Sequence, residues 1–223
     1  MLRTSVFDPS SRVSTTPGSA ERVWVGLVNL LGVRVTAHAV LNRIEHERRS
    51  FLGITALTDP ALLGRLLDLP VGRPVLDPVV WAETAGQPTG VVARGDDGHT
   101  VTRLLEPALI VEDVIVPGPR GREVRAVQDA SLFASFTSRW VAVEAQDAPD
   151  TMVMEAKLCG VGLIDRDDRV LLTAEQPTSR VVDGWAWLVW EKTYRRWLKE
   201  RSRVRETVSQ AQATGEANAT PTS

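Results

Sequence analysis

Apolar and polar positions divide the chain into a helical-looking first part, a middle of short β-branched runs, and a helical end. Val23, Trp24, Leu27, Leu30 and Leu31 recur at helical spacing. Ser19 is placed to cap a helix starting at Ala20, Glu21 would meet the positive end of its dipole, and Gly32 would stop it. Over residues 33–49 two patterns compete. Val33-Arg34-Val35-Thr36 alternates as a strand does, whereas Val40, Leu41, Ile44 and the run from Glu45 to Arg49 suit a helix, and the balance predicts helix. Asp59 as cap, Pro60 in the first turn and Pro70 as a stop predict a short helix over Pro60–Leu69.

After Pro74 the period shortens. Val79–Glu83, Gly90–Arg94, Thr100–Leu105, Leu109–Val116 and Glu123–Val127 read as strands, separated by the turn clusters Gly86-Gln87-Pro88, Gly95-Asp96-Asp97-Gly98 and Pro117–Gly121. Trp140–Ala145 and Met152–Leu158 flank Asp147-Ala148-Pro149-Asp150, and Val161–Ile164 and Arg169–Ala174 flank Arg166-Asp167-Asp168; both pairs read as hairpins. The expected sheet is an antiparallel β-meander of about eight to ten strands over residues 75–175, sandwich- or barrel-like, since no helical crossovers of a dozen residues separate the strands. Asp183 and Gly184 open the last element. Trp187, Trp190, Tyr194, Trp197, Leu198, Val204 and Val208 follow a helical stripe, with Lys192, Arg195, Arg196 and Lys199 on the other face.

The fold class is therefore α+β: N-terminal helices, the antiparallel sheet, and an amphipathic C-terminal helix packed on it. Residues 19–208 make the expected single domain. Residues 1–18, rich in Ser, Thr and Pro, are expected to be a flexible arm, and residues 209–223 a disordered tail.

Composition narrows the function classes. With 43% hydrophobic and 24% charged residues the chain has enough apolar material for a core. A net charge of −2 removes the global pull on nucleic acid. Cys159 is the one cysteine, so neither an internal disulfide nor a cysteine-rich zinc site can form. The most apolar stretch, Val23–Val33, is about half the length of a membrane-spanning helix and contains Asn29, and the first residues lack the apolar core of a secretory signal. The expectation is a soluble cytoplasmic protein.

The sharpest chemical candidate is Met152-Val153-Met154-Glu155-Ala156-Lys157. An apolar strand ending in Glu-x-Lys resembles the signature of the PD-(D/E)xK nuclease superfamily. That resemblance implies a metal-dependent nuclease in which Glu155 helps bind Mg or Mn and Lys157 positions or activates the attacking water, with Glu144 or Asp150 as the further acid. On a strand, residues two apart share a face, so both side chains could address one phosphate. A plain half-buried strand accounts for the same residues, with Met152, Met154, Ala156 and Leu158 inward and Val153, Glu155 and Lys157 in water.

Weaker constellations carry less. His38, Asn42, Glu45 and His46 would lie near one face of a helix over 36–48, but without the spacing of a known metal motif. Asp165, Asp167 and Asp168 begin like a calcium loop, yet Val170 stands where that loop needs glycine. The C-terminal helix concentrates four tryptophans between Trp185 and Trp197. Its first role is to close the sheet. Its second is to dock a protein partner through Trp190, Arg195, Arg196 and Trp197, because Trp and Arg dominate binding hot spots. No catalytic set is complete. The expected function is a non-catalytic interaction or assembly protein with a protein partner and no cofactor; the nuclease is the alternative, with nucleic acid as its partner.

Overall fold

A computed structural model describes residues 20–144, 148–177 and 182–217. The expected arm over 1–18 and the end of the expected tail lie outside the described residues.

The described residues open with a β-hairpin, β1 (Ala20–Leu30) and β2 (Val33–Asn42), where the sequence predicts helix. The reason lies in one bulge. Pairing with β2 shifts register between Val25 and Val28, so the inward positions Val23, Val25, Val28 and Leu30 are spaced two, three and two apart and imitate a helical stripe. The turn hides in the same way. Leu31 and Gly32 take φ of 51° and 84°, the left-handed pair of a tight hairpin turn, with Leu31 where asparagine or glycine is usual. Helix returns in α1 (Arg43–Leu52), capped by Asn42, whose Oδ1 accepts from Glu45 N at 3.2 Å.

The predicted short helix is α2 (Pro60–Asp68), capped by Asp59. β3 (Pro74–Leu76), β4 (Val92–Arg94) and β5 (Thr100–Arg103) form a small antiparallel sheet in the order β3-β5-β4. Residues 79–83, read as a strand, belong to the helix α3 (Pro78–Glu83), whose Asp77-Pro78 start repeats the Asp59-Pro60 signal: Asp77 Oδ1 accepts from Val79 N and Val80 N.

β6 (Leu109–Gly118) enters the main sheet beside β2. Residues 123–127 and 152–158, also read as strands, are helical, in α4 (Glu123–Ser131) and α5 (Asp150–Cys159). They are the crossovers that join β6, β7 (Ser138–Val143) and β8 (Gly162–Ile164) in parallel. β9 (Val170–Leu172) returns antiparallel as the expected hairpin. The main sheet is thus mixed, ordered β1-β2-β6-β7-β8-β9, and is not closed. Of the meander expected over residues 75–175, the antiparallel pairs β4-β5 and β8-β9 are present, and it fails where α4 and α5 intervene. The last helix, α6 (Gly184–Ala217), continues past residue 208, where the sequence predicts a tail.

One face of the main sheet carries Val35, Ala37, Ala39, Leu41, Val111, Val114, Val141 and Leu163, all buried in a core shared with α2, α4, α5, α6 and the small sheet. α6 packs on α2, β1 and β6, and α4 on β6 and β7. Among the described residues the opposite face has a small cluster of its own, Trp140, Ile164 and Ala174. Gly162 makes that cluster possible: any Cβ there would run into the Trp140 ring and the Ala174 backbone. No helix among the described residues is long and apolar enough to cross a membrane.

Candidate functional site on the open sheet face

The open face has a row of polar and aromatic side chains along neighbouring strands. Trp24 on β1 pairs with His38 on β2, which pairs with Asp113 on β6. In a sheet, directly paired residues put their side chains on one face within contact. Trp24 and His38 accordingly meet with ring centroids 4.4 Å apart, tilted by 54°. Trp24 stays 52% exposed. An indole held at its side by His38 with so much surface in water is a stacking platform.

The bulge in β6 adds the charge. Register shifts between His38 and Ala39, and Val111 and Val114 both face the core. Glu112 and Asp113 between them therefore turn to the open side together, although they are consecutive. Thr137 Oγ1 donates to the Glu112 carbonyl and steadies the bulge. Asp113 Oδ1 accepts from Trp140 Nε1 at 3.2 Å, and its Oδ2 lies 4.0 Å from His38 Nδ1. Glu112 pairs with Arg22 at 3.8 Å. Burial holds the His38 pKa below its ordinary 6.5, while Asp113 and Asp168 pull it up and Arg22 adds to the lowering. Near neutral pH the imidazole is thus uncharged. Asp168, held at φ 60° in the β8–β9 turn, is close enough to be felt at His38.

A second charged cluster is internal. Arg49 donates to Glu191 from Nη1 and Nη2, each at 2.8 Å, to Glu45 at 2.9 Å and to the Glu106 carbonyl. Glu191 also accepts from Trp187 Nε1 at 3.0 Å and Leu57 N at 3.0 Å. Glu45 takes Arg48 in a bidentate pair. Every group in this cluster is bonded, and it holds α1 to α6.

The residues singled out in the sequence are scattered. Glu155 and Lys157 lie on the helix α5, not on a strand. Two residues apart on a helix is about 200° of rotation, so the pair diverges and the shared face that the nuclease resemblance requires is not present. Burial follows the helix: Met152 and Ala156, four apart, are in the core, while Met154 and Leu158 are exposed. Glu144 is exposed and pairs with Arg166 at 3.7 Å, and Asp150 starts α5 on the surface. Among the described residues no three His, Cys, Asp or Glu gather as a metal site. His38, Asn42, Glu45 and His46 do not share a face either: His38 is on β2, Asn42 caps α1, Glu45 binds Arg48 and Arg49, and His46 Nδ1 lies 2.9 Å from the Tyr194 hydroxyl. On α6, Trp190 and Trp197 are 3% and 6% exposed and face the core. Arg195 is exposed and Arg196 pairs with Glu200 at 2.8 Å.

Trp24, Asp113 and Trp140 escaped the sequence reading. Trp24 passed for a helix position. The one available signal was Glu112-Asp113, two consecutive acids inside the apolar run Leu109–Val116, where alternation allows only one to face water. No family model matches this chain, and no curated protein or solved structure is found to be similar to it.

Proposed function

We propose that this protein is a non-catalytic interaction or assembly protein that binds a protein partner through the open face of its main sheet. The observation that carries the reading is Trp24, half in water, seated on His38 above a carboxylate pair that a bulge has turned outward. Exposed tryptophan beside fixed polar groups is the composition of a binding hot spot. The face is a better candidate than the α6 stripe, because Trp190 and Trp197 are already buried within this chain and a partner could reach them only by unfolding it.

Comparative capture tests the choice of surface. The wild type, Trp24→Ala and the double variant Arg195→Ala/Arg196→Ala are immobilised and exposed to the same host extract. Proteins bound by the wild type should be lost with Trp24→Ala and kept with the double arginine variant, at unchanged melting temperature. Retention by Trp24→Ala and loss by the arginine variant would move the binding surface to α6.

A further inference from the structure

Resting on that reading, we infer that the open face receives a basic side chain of the partner, arginine or lysine, with its cationic head against the Trp24 indole and beside the Asp113 carboxylate. Charge complementarity selects this occupant. Asp113 and Glu112 face the row from β6 and Asp168 acts on it from the β8–β9 turn, against Arg22 from β1, which pairs with Glu112. With His38 neutral, these described residues together carry two negative charges more than positive ones. A phosphate would be repelled. A cation gains both the carboxylate and the face of tryptophan, the best aromatic partner for a cation.

The chain uses the same chemistry on itself. Arg94 lies over Trp81 at 3.7 Å, Arg103 over Trp187 at 4.7 Å and Arg201 over Trp197 at 4.8 Å. Trp24 meets the His38 ring at a tilt of 54° and leaves about half of its surface exposed. The bulge supplies the other half of the seat, since an unbulged strand would send one of Glu112 and Asp113 into the core. Asp113 is also oriented by the Trp140 indole, so its carboxylate is fixed before a ligand arrives.

The test titrates capped tetra-arginine into the full-length protein and follows the tryptophan indole N–H signals by two-dimensional NMR. The Trp24 signal is identified by its loss in Trp24→Phe. Capped tetra-citrulline, the neutral isostere, is the control. Tetra-arginine should shift the Trp24 signal saturably and tetra-citrulline should not. Asp113→Asn should weaken binding at least about ten-fold, as expected when one partner of a close charge pair is removed. Should Asp113→Asn melt early, Glu112→Gln replaces it, with weaker binding again the expected result. Equal responses to the two peptides, or none, would overturn the inference. If Trp24→Ala still abolished partner capture in that case, the interaction reading would stand and only the cationic occupant would fall. Spermidine acting at lower concentration than the peptide would overturn a peptide occupant in favour of a free amine.

Discussion

Burial holds the His38 imidazole below pKa 6.5, outweighing the upward pull of Asp113 and Asp168. The unfolded chain therefore takes up this proton before the folded one does. The stability linked to His38 is complete above about pH 6.5 and drains away as pH falls towards the folded value, below which it levels off. Replacing His38 by Gln should flatten that acid slope, measured as urea unfolding free energy between about pH 7.5 and about pH 5. Identical slopes in the two proteins would show that His38 is not buried as described.

Two tryptophans on α6 allow a second test at the same scale. Trp187 Nε1 donates to the buried Glu191, whereas Trp190 Nε1 is buried with no hydrogen-bond partner among the described residues. Truncation of either to Ala opens a large cavity and should cost about 3–5 kcal/mol. Phe separates them. Trp190→Phe removes an unsatisfied donor, and Trp187→Phe deprives a buried carboxylate of one, a loss of about 1–3 kcal/mol. Thermal melts should therefore place Trp187→Phe clearly below Trp190→Phe, and the reverse order would refute the assignment. The burial of both was legible from their three-residue spacing on a helical stripe. Their unequal polar environments were not, because Glu191 is charged and would ordinarily be read as solvated.

At the scale of elements, the sequence disclosed those whose caps or turns are chemically explicit. Asp59-Pro60 marked α2, Asp183-Gly184 marked α6, and the Asp167-Asp168 turn marked the β8–β9 hairpin. The misread elements are short helices whose apolar residues fit both periods. In α5, Met152, Met154, Ala156 and Leu158 alternate like a strand, yet the chain buries only Met152 and Ala156 of them. Gly160 at φ 62°, closing the helix and donating from its N–H to the Lys157 carbonyl at 3.3 Å, was the decisive signal. That one element weighs against the nuclease reading, because the divergence of Glu155 from Lys157 follows from helical geometry. Purified protein with magnesium or manganese should leave both double- and single-stranded DNA intact. Metal-dependent cleavage that vanishes in both Glu155→Ala and Lys157→Ala would restore the nuclease despite the helix.

At the scale of the molecule, parallel pairing of β6, β7 and β8 could not be seen while their crossovers were read as strands. Nor could the sequence show that Arg49 and Glu191, 142 residues apart, meet in the interior. This pair joins the first helix to the last. Arg49 and Glu191 are both fully buried, and between them they engage Glu45, the Glu106 carbonyl, Leu57 N and Trp187 Nε1. Removing one partner strands a charge in the core, which costs about 3–5 kcal/mol, while removing both charges relieves the desolvation that each one carries. Arg49→Met and Glu191→Gln should therefore each destabilise strongly. Their combination should lose less than the sum by more than about 1 kcal/mol, a coupling typical of residues in one network. In the double variant Glu45 still has Arg48, and the introduced amide oxygen keeps one of the two donors that Glu191 holds on separate oxygens, Trp187 Nε1 or Leu57 N, so the combination recovers part of the loss and not all of it. Equilibrium urea melts of the four proteins provide the cycle. Additive losses would mean that α1 and α6 are held by packing alone, with the buried ion pair as a passenger.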